Sequence, residues 1–95
     1  TLFRSVVLEV LKDCAAKGVE AVVILSAGFK ESGAGEAKGA KLEQELVNFA
    51  REHGIRIIGP NCLGVLDSYS CLNATFAAAR PVRGEIGFFS QSGAL

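Results

Sequence analysis

The chain has 95 residues, 49% of them hydrophobic, and its ten basic residues are balanced by ten acidic ones. That suits one small globular domain with a core, and the cancelled charge removes the electrostatic basis for binding nucleic acid or an anionic membrane. No apolar run approaches the roughly 20 residues needed to cross a bilayer.

Taken in chain order, Val7, Val10, Leu11, Cys14 and Ala15 share one face at helical spacing. Gly18 supplies the stop. Ala21 to Leu25, "AVVIL", is a short apolar run rich in β-branched residues, the pattern of a strand buried on both faces in a parallel sheet. A polar, glycine-rich loop follows, "SAGFKESGAG". The next helix is predicted from about Glu36 to His53, with Leu42, Leu46, Phe49, Ala50 and His53 on one stripe and Gly54 at its end. Ile55 to Ile58 reads as a second buried strand that empties into "GPNCLG". A looser stretch runs to about Gly84, and Pro81 argues against a long regular element there. Ile86 to Phe89, "IGFF", reads as a third strand, with "SQSGAL" opening a helix directly after it.

This alternation of helix and strand predicts an α/β fold with a parallel sheet. Three strands do not complete such a sheet, so the expectation is an internal fragment of a longer chain. Thr1 to Ser5 also resemble the translated end of a sequencing adapter, which would make them foreign to the gene.

Cys14, Cys62 and Cys71 are odd in number and lack CxxC spacing. Reduced thiols in a cytoplasmic setting fit this better than disulfides or a metal site. No signal-peptide pattern is read, so the Asn73-Ala74-Thr75 sequon is taken as chance.

In an open parallel sheet, ligands sit beyond the carboxyl ends of the strands. Here those ends carry SAGF, GPNCLG and SQSG, all small or polar. Such residues let a backbone approach a ligand and present its N–H groups to anionic oxygens. Tight turns also need Gly and Ser for their own geometry, but three such loops together favour a ligand site. Ser90 to Gly93, at a helix start, would suit a phosphate; a serine there can equally be a helix cap. A serine nucleophile is disfavoured, because Ser90 stands where the G-x-S-x-G elbow needs glycine before Ser92.

"GAGEAKG", Gly33 to Gly39, fails the dinucleotide fingerprint, since three residues separate Gly35 from Gly39 and a long loop precedes Gly33. It is read as a flexible loop leading into a helix. His53, the single histidine, is read as a helix-terminal cation. Cys14 is assigned to the core. Asp67, Lys30 and Glu31 are read as solvated loop charges, with Lys30 within possible reach of a phosphate.

Taken together, "VVILSAGFKESG", "GIRIIGPNCLGVLD", "LNATFA" and "RGEIGFFSQSGAL" resemble the NDP-forming acyl-CoA synthetases, the ADP-forming acetate–CoA ligase type related to the succinyl-CoA synthetase α subunit. The resemblance spans about residues 6 to 95. It implies that residues 1–65 are the C-terminal half of a Rossmann-like CoA-binding domain. Residues 66–83 would be an interdomain connection, and 84–95 the start of a flavodoxin-like domain.

It further implies CoA binding by Ser26, Ala27, Gly28, Asn61 and Cys62, and phosphate binding by Ser90, Gln91, Ser92 and Gly93. The implied reaction couples acyl-CoA, ADP and phosphate to acid, CoA and ATP through a phosphohistidine downstream of this segment; His53 does not match it. ATP or ADP with Mg2+ would enter through an ATP-grasp domain or subunit of an oligomeric parent, so this segment alone is expected to be inactive. Two other parents fit the same resemblance: a protein lysine acetyltransferase with an acyl-CoA-sensing region, and a non-catalytic CoA-binding domain. On the residues alone, GPNCLG stays open as a mount for a nucleophile or as a ligand cradle. The missing base beside Cys62 favours the cradle.

Overall fold

The computed structural model describes residues 2–31 and 36–93. Six elements follow in order: α1 (Leu2–Ala16), β1 (Ala21–Val23), α2 (Glu36–Glu52), β2 (Arg56–Ile58), β3 (Gly64–Asp67) and β4 (Leu72–Thr75). The strands form two separate pairs. β1 and β2 are parallel, with Val22 opposite Ile57; β3 and β4 are antiparallel, with Val65 opposite Ala74. Among the described residues, no helix is long and apolar enough to cross a membrane.

The α/β alternation emerges as the periodicity predicts. Helix α1 is followed by Gly18, whose φ of 74° is a left-handed conformation that glycine adopts without side-chain strain. Gly54 does the same after α2 at φ 67°. Both helices contribute to one core with the strands, α1 through Leu11 with Val7, Leu8 and Ala15 beside it, while Val10 of its predicted stripe stays half exposed. Leu11 of α1, Ile24 and Phe29 after β1, Leu46 and Ala50 of α2, and Ile55 before β2 make one buried cluster. Beyond the formal strand, the β1–β2 ladder gains one more rung, from the Ile24 N–H to the Ile58 carbonyl at 2.8 Å. This rung leaves the two chains side by side as they turn into their loops.

Two sequence expectations are corrected here. Ile86–Phe89 forms no strand, and Ile86 and Phe89 are 96% and 89% exposed. A strand exists only through its ladder partner, and no strand lies beside this segment, so its apolar composition does not suffice. Among the described residues the parallel sheet therefore has two strands rather than three. The stretch expected to be irregular, in turn, contains the β3–β4 hairpin, with Gly64 at φ 112°. A Cβ on Gly64 would strike the Ala74 carbonyl oxygen across the pair, so a close strand approach depends on this glycine. The loop portion of GAGEAKG, within 32–35, and the helix start expected at 94–95 lie outside the described residues.

The hairpin turn is organised by Asp67, read from sequence as a solvated loop charge. Its carboxylate accepts the Ser70 hydroxyl and the Tyr69 N–H. Arg83 Nε and Nη2 donate to the Ser68 carbonyl at 3.3 Å, while the guanidinium lies 4.8 Å from the Tyr69 ring centroid. The Ser70 hydroxyl and then the Tyr69 N–H hold the Asp67 carboxyl below its ordinary range. A lowered folded-state pKa means the turn is fully supported above the ordinary carboxylate pKa of about 4. That support is lost as pH falls through the lowered folded value. We expect the Tyr69 amide resonance to titrate with a midpoint below that of a free aspartate, and the titration to vanish in Asp67→Asn. A midpoint at or above the free value would contradict the turn described here.

Candidate ligand site at the strand ends

The parallel pairing of β1 and β2 brings their carboxyl ends, and therefore the SAGF and GPNC loops, to the same edge of the sheet. The two loops are tied directly. The Asn61 N–H donates to the Ser26 carbonyl at 2.9 Å, and the Cys62 thiol donates to the Ile24 carbonyl at 3.4 Å. Gly59 enables this approach. Its φ is 100°, and a Cβ there would collide with the Ile24 carbonyl oxygen and lie 3.2 Å from Cys62 Sγ. The Gly59–Pro60 peptide bond is cis, and Asn61 has a φ of 54°. Asparagine is among the few non-glycine residues that adopt that region readily. The turn thus projects an exposed Asn61 carboxamide and keeps Cys62 half-buried beneath it.

On the facing side, Phe29 is fully buried and anchors its loop into the core. Its backbone meets α2 at Gly39, where a Cβ would strike the Phe29 carbonyl oxygen. The Glu31 carboxylate, through Oε1, accepts the N–H groups of Gly28 and Phe29, the latter at 3.1 Å. The Lys30 N–H donates to Glu43 Oε2, from α2, at 3.2 Å. Of the SAGF N–H groups that the sequence offers to an anionic ligand, those of Gly28 and Phe29 are therefore engaged by a carboxylate of the chain itself. Glu31, read as a solvated charge, is an organiser of the loop. A cavity of about 470 Å³ opens between the loops, lined by Lys30, Glu31, Glu43, Gly59, Pro60 and Asn61.

Of the residues singled out from sequence, Ser26, Gly28, Asn61 and Cys62 lie in these two tied loops, with Ala27 exposed between Ser26 and Gly28. Ser90 to Gly93 form a separate local turn. There, Ser90 Oγ accepts the Ser92 N–H at 3.0 Å and donates to the Ser92 carbonyl at 3.2 Å. His53 lies past the far end of β2. Its ring stacks on Phe49 with centroids 4.0 Å apart, and Nδ1 is 2.9 Å from the Phe49 carbonyl oxygen, consistent with a helix-terminal role. Among the described residues, no group of three or more His, Cys, Asp and Glu side chains is placed to hold a metal ion.

Glu31, Glu43 and Gly39 were not found as site residues from the sequence. The pattern of a glutamate following GFK and a glycine early in a helix is compatible with many loops, and only the fold gives it meaning.

Comparison with known proteins gives concordant results. The profile of the CoA binding domain family matches residues 1–68. The acetate–CoA ligase [ADP-forming] I of Archaeoglobus fulgidus is 48% identical over 85 residues, 90% of this chain and 12% of the relative. The acetate–CoA ligase [ADP-forming] II subunit alpha of Pyrococcus furiosus is 46% identical over 92 residues, 97% of this chain and 19% of that subunit. Among solved structures, the dinucleotide forming acetyl-coenzyme A synthetase 1 of Ca. Korarchaeum cryptofilum, in complex with phosphate and ADP, superposes with a TM-score of 0.80 at 42% identity. The match covers 96% of this chain and 18% of that one. The chain thus spans less than a fifth of each of these relatives.

Proposed function

The chain belongs to the CoA binding domain family, and from that premise we propose that its two tied strand-end loops hold coenzyme A as one segment of an ADP-forming acyl-CoA ligase. The observation that carries this reading is the Asn61 to Ser26 hydrogen bond, which ties the two candidate CoA loops together beside the cavity that Asn61 lines. Ser26, Ala27 and Gly28 would contact the ligand from one side, and Asn61 and Cys62 from the other. The donor set suits such a molecule. The exposed Asn61 carboxamide can exchange hydrogen bonds with an amide-rich arm, and the Lys30 ammonium can face a phosphate. When bound, CoA supplies the thiol that accepts the acyl group.

With Glu31 holding the Gly28 and Phe29 N–H groups, this part of the cavity favours an uncharged stretch of the ligand. Cys62 supports the turn beside the site rather than attacking. Its thiol is directed at the Ile24 carbonyl, and His53 lies beyond the opposite end of β2.

The rest of the proposal concerns the longer protein. Residues 1–65 would be part of the CoA-binding domain, 66–83 a connection, and 84–95 the start of a flavodoxin-like domain. There Ser90, Gln91, Ser92 and Gly93 would hold phosphate, a ligand that the solved relative is described as binding together with ADP. A downstream phosphohistidine, an ATP-grasp part carrying ATP or ADP with Mg2+, an oligomeric assembly and a cytoplasmic location complete the reading. The relatives named above are ligases, which ranks this reading above an acyl-CoA sensor attached to an acetyltransferase.

The test is alkylation of the full-length protein with and without CoA. CoA at about ten times its Kd should slow modification of Cys62 roughly tenfold, in proportion to occupancy. The exposed Cys71 serves as the internal control and should react at an unchanged rate. Equal labelling of Cys62 in both conditions would refute the assignment.

A further inference from the structure

Three consecutive backbone N–H groups, those of Gly28, Phe29 and Lys30, are received by two carboxylates that come from different elements. Glu31 is local to the loop, and Glu43 reaches it from α2, 13 residues from Lys30 in sequence. Both glutamates line the cavity opposite Gly59, Pro60 and Asn61. Hydrogen bonds from N–H groups to ionised oxygen are stronger than neutral ones, and here three of them, at up to 3.2 Å, act on one run of backbone. The arrangement is therefore a device for fixing peptide orientation. Gly28, at φ 98°, gives the loop the freedom to adopt this shape, and glycine alone would leave it free to adopt others.

We propose that Glu31 and Glu43 are positioning residues for CoA. By receiving the Gly28, Phe29 and Lys30 N–H groups they hold the loop as a preformed wall facing Asn61. The inference rests on the CoA-binding reading above. Preorganisation of this kind lowers the ordering cost of binding and leaves chemistry at a distant centre untouched. Its signature is a change in KM for CoA with kcat preserved.

The experiment uses the full-length protein with Glu31→Ala, Glu31→Gln, Glu43→Ala and Glu43→Gln. Each is assayed for ligase turnover with CoA varied and with the acyl substrate varied. Amide hydrogen exchange across residues 26–31 is followed without CoA. We expect each alanine variant to raise KM for CoA about tenfold, as loss of charge-assisted hydrogen bonds predicts, with kcat and KM for the acid unchanged. The glutamine variants keep the accepting oxygen but lose its charge, so they should recover about half of that loss in free energy, leaving KM raised about threefold. Exchange should accelerate in the alanine variants and less in the glutamine variants.

Unchanged exchange and unchanged KM in Glu31→Ala and Glu43→Ala would overturn the inference while leaving CoA binding in place. A joint fall in kcat and rise in both KM values, accompanied by a lower melting temperature, would show general destabilisation and would also overturn it. Failure of the unaltered protein to bind CoA by calorimetry would remove the CoA reading and this inference together. The exchange data would then still report whether the carboxylates fix the loop.

Discussion

Gly59→Ala should destabilise the protein by about 3 kcal/mol or more and abolish ligand binding at the strand ends. Two penalties coincide at this position. The φ of 100° is a conformation that L side chains rarely adopt, and the added methyl group would collide with the Ile24 carbonyl oxygen. That oxygen is backbone and cannot move without disturbing the rung between the Ile24 N–H and the Ile58 carbonyl. It also accepts the Cys62 thiol. Relief of the clash therefore separates the end of β1 from the start of the GPNC turn and breaks the Asn61 to Ser26 hydrogen bond. Gly54→Ala is the matched control. Gly54 also has a positive φ, of 67°, but nothing lies within 4 Å of a Cβ built there. It should show only the left-handed backbone penalty of about 1 kcal/mol. Urea unfolding of both variants separates strain from collision. Equal losses would mean that the loops are not held in contact through Gly59.

The elements that could be read from sequence are those whose signals are local. The stripe from Val7 to Ala15, the stripe from Leu42 to His53 and the glycines after each encode helices through spacing alone, and the helices form there. "AVVIL" and "IRII" encode strands because each is short, β-branched and followed by a loop, and they find one another across α2 as a parallel pair. "IGFF" has the same local signal and forms no strand, because pairing depends on a neighbour that the local sequence does not specify. The hairpin was obscured for the opposite reason. Leu66-Asp67 and Leu72-Asn73 alternate too little to look like strands, and the register is set by Gly64 and by the Asp67 turn. At the site, the GPNC and SAGF loops were legible as small, polar strand ends. The hydrogen bond that makes them one site, and the two glutamates that hold the facing loop, arise only once β1, β2 and α2 are packed.

Phe29→Ala is the variant expected to show most sharply how core and site depend on one another. In sequence, Phe29 sits in a polar, glycine-rich loop. In the structure it is the largest fully buried side chain of the described residues, in one cluster with Leu11, Ile24, Leu46, Ala50 and Ile55. Truncating a buried phenylalanine costs about 3–5 kcal/mol, through lost transfer energy and the cavity left behind. Against a whole-domain stability of about 5–15 kcal/mol, that removes a large part of what keeps the chain folded. Phe29→Leu, which refills most of the volume, should recover at least half of the loss.

The functional effect follows from where the ring sits. Its own N–H donates to Glu31, the N–H of the next residue donates to Glu43, and its carbonyl oxygen lies against Gly39. Once the ring no longer fills the core, the two peptides flanking Phe29 that carry these three contacts are released. Phe29→Ala should therefore weaken CoA binding even at temperatures where circular dichroism still reports native helix content, and Phe29→Leu should bind nearly normally. If Phe29→Ala binds CoA as the unaltered protein does while melting at a lower temperature, the loop is shaped by its carboxylate contacts alone, and the buried ring serves stability only.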